Sequence, residues 1–520
     1  MSSTPESVPK SERKVNMNAE LGAEPTLRDT ASADELLANM GYKAELSRNR
    51  STLQVAFMSF VLASIPYGLA TTLYYPLICG GPVDIIWGWV LVSLVMSCVA
   101  ASLGEITSVY PTAGGVYYQA WMLAGDSYRK IAAWVCGWLF VIGNVTITLS
   151  VNFGTTLFLV SCVNVFQTAD GKDVLAGSPY QVFLIFLAIT LLCNVICAFC
   201  NKWLPIIDTF AIFWTFAGVI AILITVLVVA NHGRHTGEYV LGHFETNSGW
   251  IPGWSFFVGL LHAAYATSST GMIISMCEEV KAPATQVPKA MILTILLNTI
   301  CGLLFLVPLV FVLPDIKNLI TLQQPTPAII KSAVGSPGGA FGLLIPLIVL
   351  GLICGIGCTT AASRCVYAFS RDGAIPGSEW WKVVNPKLNV PVNALLLSMV
   401  VQLLLSLINF ASAVAFNAFS GVGVITLTTS YAVPIAVSML EGRRTVQTAK
   451  FHLGKLGWLC NGICIAWTAL AIPLFSVPTI VPVTDPKNVN YAPVVFVGFL
   501  VVSLGWYVAW GRKNYSGPPA

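Results

Sequence analysis

The fold of this chain is decided by residues 251–289, IPGWSFFVGLLHAAYATSSTGMIISMCEEVKAPATQVPK. The stretch is long enough to cross a bilayer, but its middle, residues 262–271, consists of small, hydroxylated and aromatic side chains. Such a segment forms a weak helix, and within hydrocarbon every backbone N–H and C=O must be bonded inside the protein. The stretch therefore predicts a membrane span that is buried or lines a cavity. Glu278 and Glu279 mark one membrane face, because charge is costly at the bilayer centre.

A second interrupted segment lies near the front of the chain, at residues 55–82 (VAFMSFVLASIPYGLATTLYYPLICGGP). Ser64, Pro66 and Gly68 lie near its centre, and a proline inside a helix removes one hydrogen bond. Two interrupted spans in corresponding positions of two halves indicate the binding site of a secondary transporter. The alternative is a pair of kinked helices without a ligand, because Gly and Pro are common in membrane helices.

The composition excludes a soluble globular protein. Of the 520 residues, 56% are hydrophobic and 10% are charged, and the mean hydropathy is +0.77, whereas soluble domains are about 25% charged. The 14 cysteines lie mostly in apolar runs without metal-ligand spacing, which favours a role as small packing residues. We expect no cofactor, no metal site and no nucleic-acid partner. An enzyme is the least favoured class, because the apolar runs contain no cluster of His, Asp and Glu and no nucleophile–base motif.

Apolar runs of the length that crosses about 30 Å of hydrocarbon recur through the chain and predict an all-α polytopic membrane protein with about twelve helices. The predicted spans are residues 53–78, 83–108, 129–162, 179–200, 204–231, 252–277, 288–313, 337–369, 391–410, 413–440, 457–480 and 492–511. Five plus five spans place corresponding helices in opposite orientations, as an inverted repeat requires. The predicted units are a disordered cytosolic tail at 1–50, a transmembrane domain at 51–511 and a cytosolic C-terminus at 512–520. Within the transmembrane domain we expect a first repeat at 51–231, a second repeat at 252–440 and two last helices at 457–511.

The basic residues predict the orientation of these spans. With the twelve spans placed as above, 22 of the 27 Lys and Arg residues fall on the side of the N-terminal tail. The other five are Lys172, Arg234, Lys317, Lys331 and Lys487. Because cytosolic loops of membrane proteins carry the excess of Lys and Arg, we expect both termini to be cytosolic.

Four separated motifs carry a resemblance to a known family. They are LGEITSVYPTAGGVYYQAWMLAG at 103–125, FETNSGWIPGWSFFVGL at 244–260, CEEVKAPATQVPKAM at 277–291 and ASRCVYAFSRDGAIPGSEWWKVVNPKLNVPVNA at 362–394. Over about residues 51–511 the chain resembles the fungal amino acid/choline branch of the amino acid–polyamine–organocation permeases, which includes choline and GABA permeases. The resemblance implies a LeuT-type fold and transport of a small amine or amino acid, driven by protons, at a fungal plasma membrane.

One departure from the family pattern concerns the substrate. Many of these permeases carry an Asp and, four residues later, a His in the sixth span, where this chain has Gly271 and Ser275. A carboxylate would be the natural counter-ion of a cationic amine, so its absence weakens a choline assignment. The alternatives are a transporter of a specialised metabolite such as an alkaloid, and a nutrient sensor that does not transport. The short tails disfavour the sensor.

The resemblance also implies where a substrate binds. A substrate carboxylate would meet N–H groups freed between Ser64 and Gly68, where half-helix dipoles favour anions, and an ammonium would meet carbonyls and hydroxyls at 264–269. Tyr67 and Tyr265 would add a cation–π attraction of about 0.5–2 kcal/mol, although both are equally explained as packing residues. The candidate substrate-binding residues are Ser64, Pro66, Tyr67, Gly68, Asn144, Ala264, Tyr265, Ser268, Ser269 and Gly271.

Ionisable and hydroxyl groups in or near the spans are candidates for ion coupling and gating. Asp208 and Lys202 are candidates for a proton, because charge inside a membrane is costly and usually functional. Thr359 occupies a position where sodium-coupled relatives place a hydroxyl ligand. The candidate gating residues at the inner face are Glu278, Glu279, Arg371 and Asp372. They suit an ion-pair latch of about 0–1 kcal/mol for each exposed pair, or else they are solvated helix caps.

Overall fold

The computed structural model describes residues 27–43, 45, 46, 48, 52–168, 170, 172–411, 415–484 and 489–519. Over these residues the regular secondary structure is helical, with two isolated β-bridges and no strand. Twelve of the helices described are long and apolar enough to cross a membrane. The predicted all-α polytopic class is therefore confirmed.

We number the twelve spans in chain order. They are Gln54–Thr72, Gly81–Val109, Arg129–Val163, Pro179–Phe199, Asn201–Val229, Pro252–Glu279, Pro283–Phe311, Pro337–Arg371, Val392–Phe410, Ala418–Leu440, Leu456–Leu474 and Ala492–Asn514. The main shorter helices are Leu27–Asn39, Tyr74–Cys79, Gly115–Leu123, Gly237–Gly242, Ile316–Leu319, Thr326–Val334 and Ser378–Trp381. Most span ends lie within a few residues of the predicted ones. Span 11 ends earlier than predicted, at Leu474.

Spans 1 and 6 lie at the centre of the bundle. In each of them 94% of the most apolar 18-residue window is buried, against 11% for span 12. The outer spans expose large apolar side chains such as Phe213 and Val494, which suit contact with lipid tails. The two spans that begin the predicted repeats are thus the most enclosed ones, and the inverted repeat itself stays a prediction.

Span 1 is interrupted at Ser64. One helix covers Thr52–Ala63 and a second covers Ile65–Thr72. Between them Ser64 has φ +40° and ψ +51°, the left-handed conformation that only a small minority of non-glycine residues adopt. Its hydroxyl donates to the carbonyl of Val61 within the same turn. The predicted interruption therefore exists, and it is a single residue long.

Neighbouring spans bond the carbonyl that this interruption leaves free. In a continuous helix the carbonyl of Leu62 would accept from residue 66, but Pro66 has no N–H. The Leu62 carbonyl instead accepts from the Ser269 hydroxyl of span 6 at 2.9 Å and faces the Cys354 thiol of span 8 at 3.5 Å. Spans 1, 6 and 8 are thus joined at the interruption.

Span 6 changes its helix type where the sequence becomes small and hydroxylated. Helices at Pro252–Gly259 and Leu261–Thr267 are followed by a 3₁₀-helix over Ser268–Glu279. Runs of 3₁₀-helix longer than three or four residues are uncommon, and within a helix they often mark a hinge. The predicted weak segment is thus a tighter helix rather than an unwound loop.

The expectation of a disordered tail is wrong for part of residues 1–50. Leu27–Asn39 is a helix, and Ala33, Leu37 and Met40 are buried at a spacing that places them on one helix face. Arg48 pairs with Asp34 at 2.6 Å and donates to the carbonyl of Val280 at 2.7 Å. The helix was not predicted because residues 1–50 are polar on average, and three apolar residues on one helix face change that average little. Residues 1–26, 44, 47 and 49–51 lie outside the described residues.

The last described residues also pack against the bundle. Tyr515 is buried, and its ring lies 5.1 Å from the ring of Trp134 at the start of span 3. Gly517 lies so close to Trp121 that an added Cβ would be 2.2 Å from the indole ring. Residues near both ends of the described chain therefore pack against the bundle on the predicted cytosolic side.

A buried ion pair fixes span 2 to the connection between spans 10 and 11. Arg443 donates to the Glu105 carboxylate and, at 3.1 Å, to the carbonyl of Gly454. Glu105 also accepts the backbone N–H of Leu453 at 2.8 Å. Both charged side chains are at most 4% exposed. Water therefore does not solvate either charge, and each charge is compensated by the other.

We expect Glu105→Ala to lower the free energy of unfolding by about 3–5 kcal/mol, because it leaves the Arg443 charge buried without its partner. The measurement is the thermal midpoint of the purified protein in detergent. The matched control is Glu379→Ala, whose carboxylate is 80% exposed and pairs with Lys382, and which should cost at most about 1 kcal/mol. Equal midpoints for the two variants would contradict the assignment.

Candidate functional site

A small cavity lined by buried residues lies where spans 1, 3, 6 and 8 meet. Its volume is about 10 Å³, room for roughly one water molecule. It is lined by Leu62, Ala63, Tyr67, Gly68, Ile147, Val151, Tyr265, Ala266, Ser268, Ser269 and Cys354. Five of the ten predicted substrate-binding residues, Tyr67, Gly68, Tyr265, Ser268 and Ser269, therefore line one cavity, although they come from two spans about 200 residues apart.

The other five predicted residues do not line this cavity. Ser64, Pro66 and Ala264 are buried beside lining residues in the same helices. Asn144 donates to the carbonyl of Phe140 in its own helix at 2.8 Å. No lining residue was predicted on span 3 or span 8, because their apolar side chains are indistinguishable in sequence from ordinary helix packing.

Span 3 fixes both cavity tyrosines through their hydroxyl groups. The Tyr67 hydroxyl donates to the Val151 carbonyl at 2.8 Å and lies 2.7 Å from the Thr155 hydroxyl. The Tyr265 hydroxyl accepts from Ser150 at 3.3 Å. Because both rings are already held in place, the binding of a cation to their faces costs little side-chain conformational entropy. This arrangement suits recognition of an ammonium group.

Spans 1 and 6 approach closely beside the cavity. A Cβ added to Gly68 would lie 3.2 Å from the Cβ of Ala266. Neither position leaves room for a larger side chain. The small residues in the two interrupted segments therefore permit contact between helices, and they do not by themselves enlarge the cavity.

A tyrosine from span 10 fills the space beside Gly271. A Cβ added at Gly271 would lie 2.5 Å from Cε1 of Tyr431, and the Tyr431 hydroxyl donates to the carbonyl of Ser268 at 3.0 Å. The position at which many similar permeases carry an Asp is thus occupied by an aromatic ring. No local signal pairs these two residues, which are 160 positions apart in the sequence.

The predicted cytosolic side of the bundle, called the inner side below, is closed by two buried ion pairs. Glu278 accepts two hydrogen bonds from Arg371, at 2.9 and 3.1 Å, and one from the backbone N–H of Ala113 at 3.1 Å. Glu279 pairs with Arg364 at 2.8 Å. The side chains of the acidic partners are 2% and 9% exposed. Arg364 was missed as a gating residue because its sequence position lies within an apolar span.

The expectation of weak, solvent-exposed latch pairs is therefore wrong. Removal of one partner from a buried pair costs about 3–5 kcal/mol, because the other charge remains buried. Glu278, Glu279 and Arg371 hold span 6 against span 8 and the segment before Gly115–Leu123. The inner side opens only if these contacts are exchanged for water or other partners.

Asp372 is hydrogen-bonded to tyrosines at the same face. It accepts from the hydroxyls of Tyr42 at 2.9 Å and Tyr117 at 2.7 Å. Burial raises the pKa of Asp372 to about 6, against the opposing effects of Arg371 and of these hydrogen bonds. The guanidinium of Arg371 also lies 3.9 Å from the centre of the Tyr42 ring. The N-terminal segment thus completes the closure.

The predicted coupling residues are not brought together. Asp208 is buried on span 5, Lys202 is exposed before it, and Thr359 is buried on span 8. None of the three lines the cavity between spans 1 and 6. Their roles stay predictions.

We expect Gly271→Ala to lower the free energy of unfolding by about 1–3 kcal/mol, the usual cost of overpacking, because its Cβ would overlap the Tyr431 ring. The loss should largely disappear when Gly271→Ala is made in a Tyr431→Ala background. Thermal midpoints of the four proteins check this coupling. Gly338→Ala is the control, since no heavy atom lies within 4 Å of the added Cβ, and a loss independent of Tyr431 would contradict the explanation.

The raised pKa of Asp372 predicts a pH dependence. The folded-state pKa of Asp372, about 6, exceeds the unfolded value of about 3.9, so the protonated side chain favours the folded state. This contribution of Asp372 to the free energy of unfolding is complete below about pH 4. It is lost as the pH rises through about 6, and two pKa units correspond to about 3 kcal/mol. We expect the thermal midpoint of the wild type, relative to that of Asp372→Asn, to decrease as the pH is raised from 4 to 7. A constant difference would argue against this titration.

Comparison with known proteins identifies the family. The family model for amino acid permeases matches residues 51–500. The amino-acid permease BAT1 of Arabidopsis thaliana is 30% identical over 93% of this chain and 95% of its own length. The polyamine transporter TPO5 of Saccharomyces cerevisiae is 30% identical over 95% and 80%, respectively, and the choline transporter of the same yeast is 29% identical over 91% and 83%. These matches confirm the resemblance found in the four motifs. The chain belongs to the amino acid permease family, a family of membrane transporters.

Proposed function

We propose that this chain imports a small amine or amino acid across a fungal plasma membrane by alternating access, with protons as the coupling ion. The observation that supports this most is the interruption of span 1 at Ser64, next to a small cavity against span 6. Helix interruptions at mid-membrane depth are how secondary transporters present free backbone groups and helix dipoles to a substrate. The names of the polyamine and choline transporters agree with an amine substrate.

The substrate binds between the two interrupted helices. The helix Ile65–Thr72 begins at the break, and the positive end of its dipole there suits a carboxylate. An ammonium group suits the faces of Tyr67 and Tyr265. Since the cavity holds only about 10 Å³, spans 1 and 6 must move apart from spans 3 and 8 before any amino acid enters.

The orientation follows from charge. The inner side is the one that carries the buried pairs of Glu278 and Glu279, the N-terminal helix and most Lys and Arg residues. Both termini are cytosolic under the positive-inside rule. Closure at this face, with the cavity lined by buried residues, corresponds to an occluded state of the transport cycle.

A second candidate function is favoured by the Tyr431 ring beside Gly271. An aromatic ring in place of the Asp of many similar permeases removes a counter-ion for a charged amine, which favours a more apolar substrate. The alternative is therefore transport of a specialised metabolite such as an alkaloid by the same fold.

The uptake experiment uses a permease-deficient yeast that expresses this chain, supplied with labelled amino acids, GABA, choline and putrescine at external pH 5 and pH 7.5. We expect uptake of at least one compound to be faster at pH 5 and to be abolished by a protonophore. Uptake that ignores the protonophore would remove the proton from the proposal. Absence of uptake of every compound, with the protein at the cell surface, would favour the specialised metabolite.

The cavity assignment is tested with Ser269→Ala, because its hydroxyl bonds the Leu62 carbonyl across the cavity wall. A lost hydrogen bond of about 1 kcal/mol raises the apparent substrate constant about fivefold. The matched control is Ser97→Ala on span 2, whose hydroxyl bonds only within its own helix, and which should leave that constant unchanged. Equal constants for both variants and the wild type, at equal surface expression, would remove this wall from the binding site.

A further inference from the structure

A buried carboxyl group lies at the predicted outer end of span 2, outside the cavity described above. Asp84 is 1% exposed. Among the described residues neither of its carboxyl oxygens has a hydrogen-bond partner. Most buried polar side chains are hydrogen-bonded, so an unpartnered carboxyl group calls for a physical explanation.

Three glycines make the space that Asp84 occupies. A Cβ added to Gly259 of span 6 would lie 1.7 Å from Oδ2, and one added to Gly88 would lie 2.7 Å from Oδ1. One added to Gly80, which follows the short helix Tyr74–Cys79 after span 1, would lie 2.7 Å from the Asp84 Cβ. The carboxyl group is therefore packed directly against the backbone of spans 1, 2 and 6, and a side chain at any of these positions would displace it.

Among the residues that the structure describes, no charged group is hydrogen-bonded to the Asp84 carboxyl. The thiol-bearing Cys79 lies beside the carboxyl group at Gly259, and Tyr74 and Tyr75 lie on the same short helix as Cys79. The side chains of His243 and Glu245 lie 3.4 Å from each other. Both residues belong to a loop whose backbone is hydrogen-bonded to Gly80 and Val83. On span 7, Cys301 is buried, while Glu105 and Lys289 lie near the opposite ends of spans 2 and 7. None hydrogen-bonds the Asp84 carboxyl.

The arrangement determines the protonation state in this conformation. A buried, unpaired carboxylate is strongly disfavoured, because neither water nor a donor solvates its charge. The packed carboxyl group is therefore neutral. A charged Asp84 is compatible only with a conformation in which the outer ends of spans 1, 2 and 6 are apart and water reaches it.

We infer that Asp84 is an external proton-binding site whose protonation permits the outer ends of spans 1, 2 and 6 to close. The inference rests on the proposed alternating-access cycle, in which these spans separate and close again. In the outward-open state the carboxylate takes one proton from the external solution and becomes a neutral carboxylic acid. It then packs against Gly259, and the outer side closes.

The buried thiol of Cys79, next to Gly259, reports closure without any transported substrate. Intact cells that express the full chain are treated with a membrane-impermeant maleimide at pH 5 and pH 8, and Cys79→Ser identifies the labelled position. Asp84→Asn keeps the shape of the neutral acid and cannot ionise. The ratio of labelling rates, wild type over Asp84→Asn, cancels the pH dependence of the thiol reaction itself.

We expect this ratio to be near 1 at pH 5 and at least severalfold higher at pH 8, because only the wild type opens when Asp84 loses its proton. Glu379→Gln, which changes a carboxylate that is 80% exposed and pairs with Lys382, should label like the wild type at both values. The same ratio at both pH values would overturn the inference.

A second variant keeps the test decisive if Asp84→Asn does not reach the cell surface. Gly259→Ala displaces the carboxyl group from its space, so it should label fast at both pH values, and labelling equal to the wild type would contradict the proposed packing. Failure of the proposed transport function is recognised separately. In that case no labelled compound enters cells, while the pH dependence of Cys79 labelling is still measured.

Discussion

A chain within hydrocarbon must bond its own backbone, and a helix can stop there only where neighbouring segments replace the bonds it loses. At Ser64 that replacement is specific. Pro66 cannot donate to the Leu62 carbonyl, so a hydroxyl from span 6 does so beside a thiol from span 8. The interruption, the cavity and the contact between spans 1, 6 and 8 are one arrangement. A movement that opens the cavity has to exchange these bonds for bonds to water or substrate.

The two sides of the bundle are closed by opposite means. At the inner face, charges are buried in pairs, Glu278 with Arg371 and Glu279 with Arg364, so opening carries the cost of separating them or hydrating each one. At the other end of the same spans, Asp84 lies among glycine backbones without a donor. The inner closure depends on paired charges together with the hydrogen-bonded Asp372, whereas the other end depends on a single carboxyl group that must be neutral to pack. The two closures therefore answer to different signals.

The sequence predicted the spans well, because length and hydropathy determine which segments cross a membrane. It also located the interruption at Ser64, since proline and glycine act locally. It did not predict that Arg364 pairs with Glu279 or that Tyr431 fills the space beside Gly271. Those contacts join residues far apart in the chain, and nothing in the local pattern specifies them. The surroundings of Asp84 were missed in part for the same reason, because Gly259, which lies against its carboxyl group, is 175 positions away on span 6.

The packing of the last residues has a practical side. Tyr515 is buried against Trp134, and Gly517 lies against Trp121, close to the helix that begins at Gly115 and supports the inner closure. A fluorescent protein or affinity tag inserted next to Gly517 would disturb this contact. A flexible linker between the inserted protein and Tyr515 would preserve it. Reporter design for this permease therefore begins with the packing of Tyr515 and Gly517.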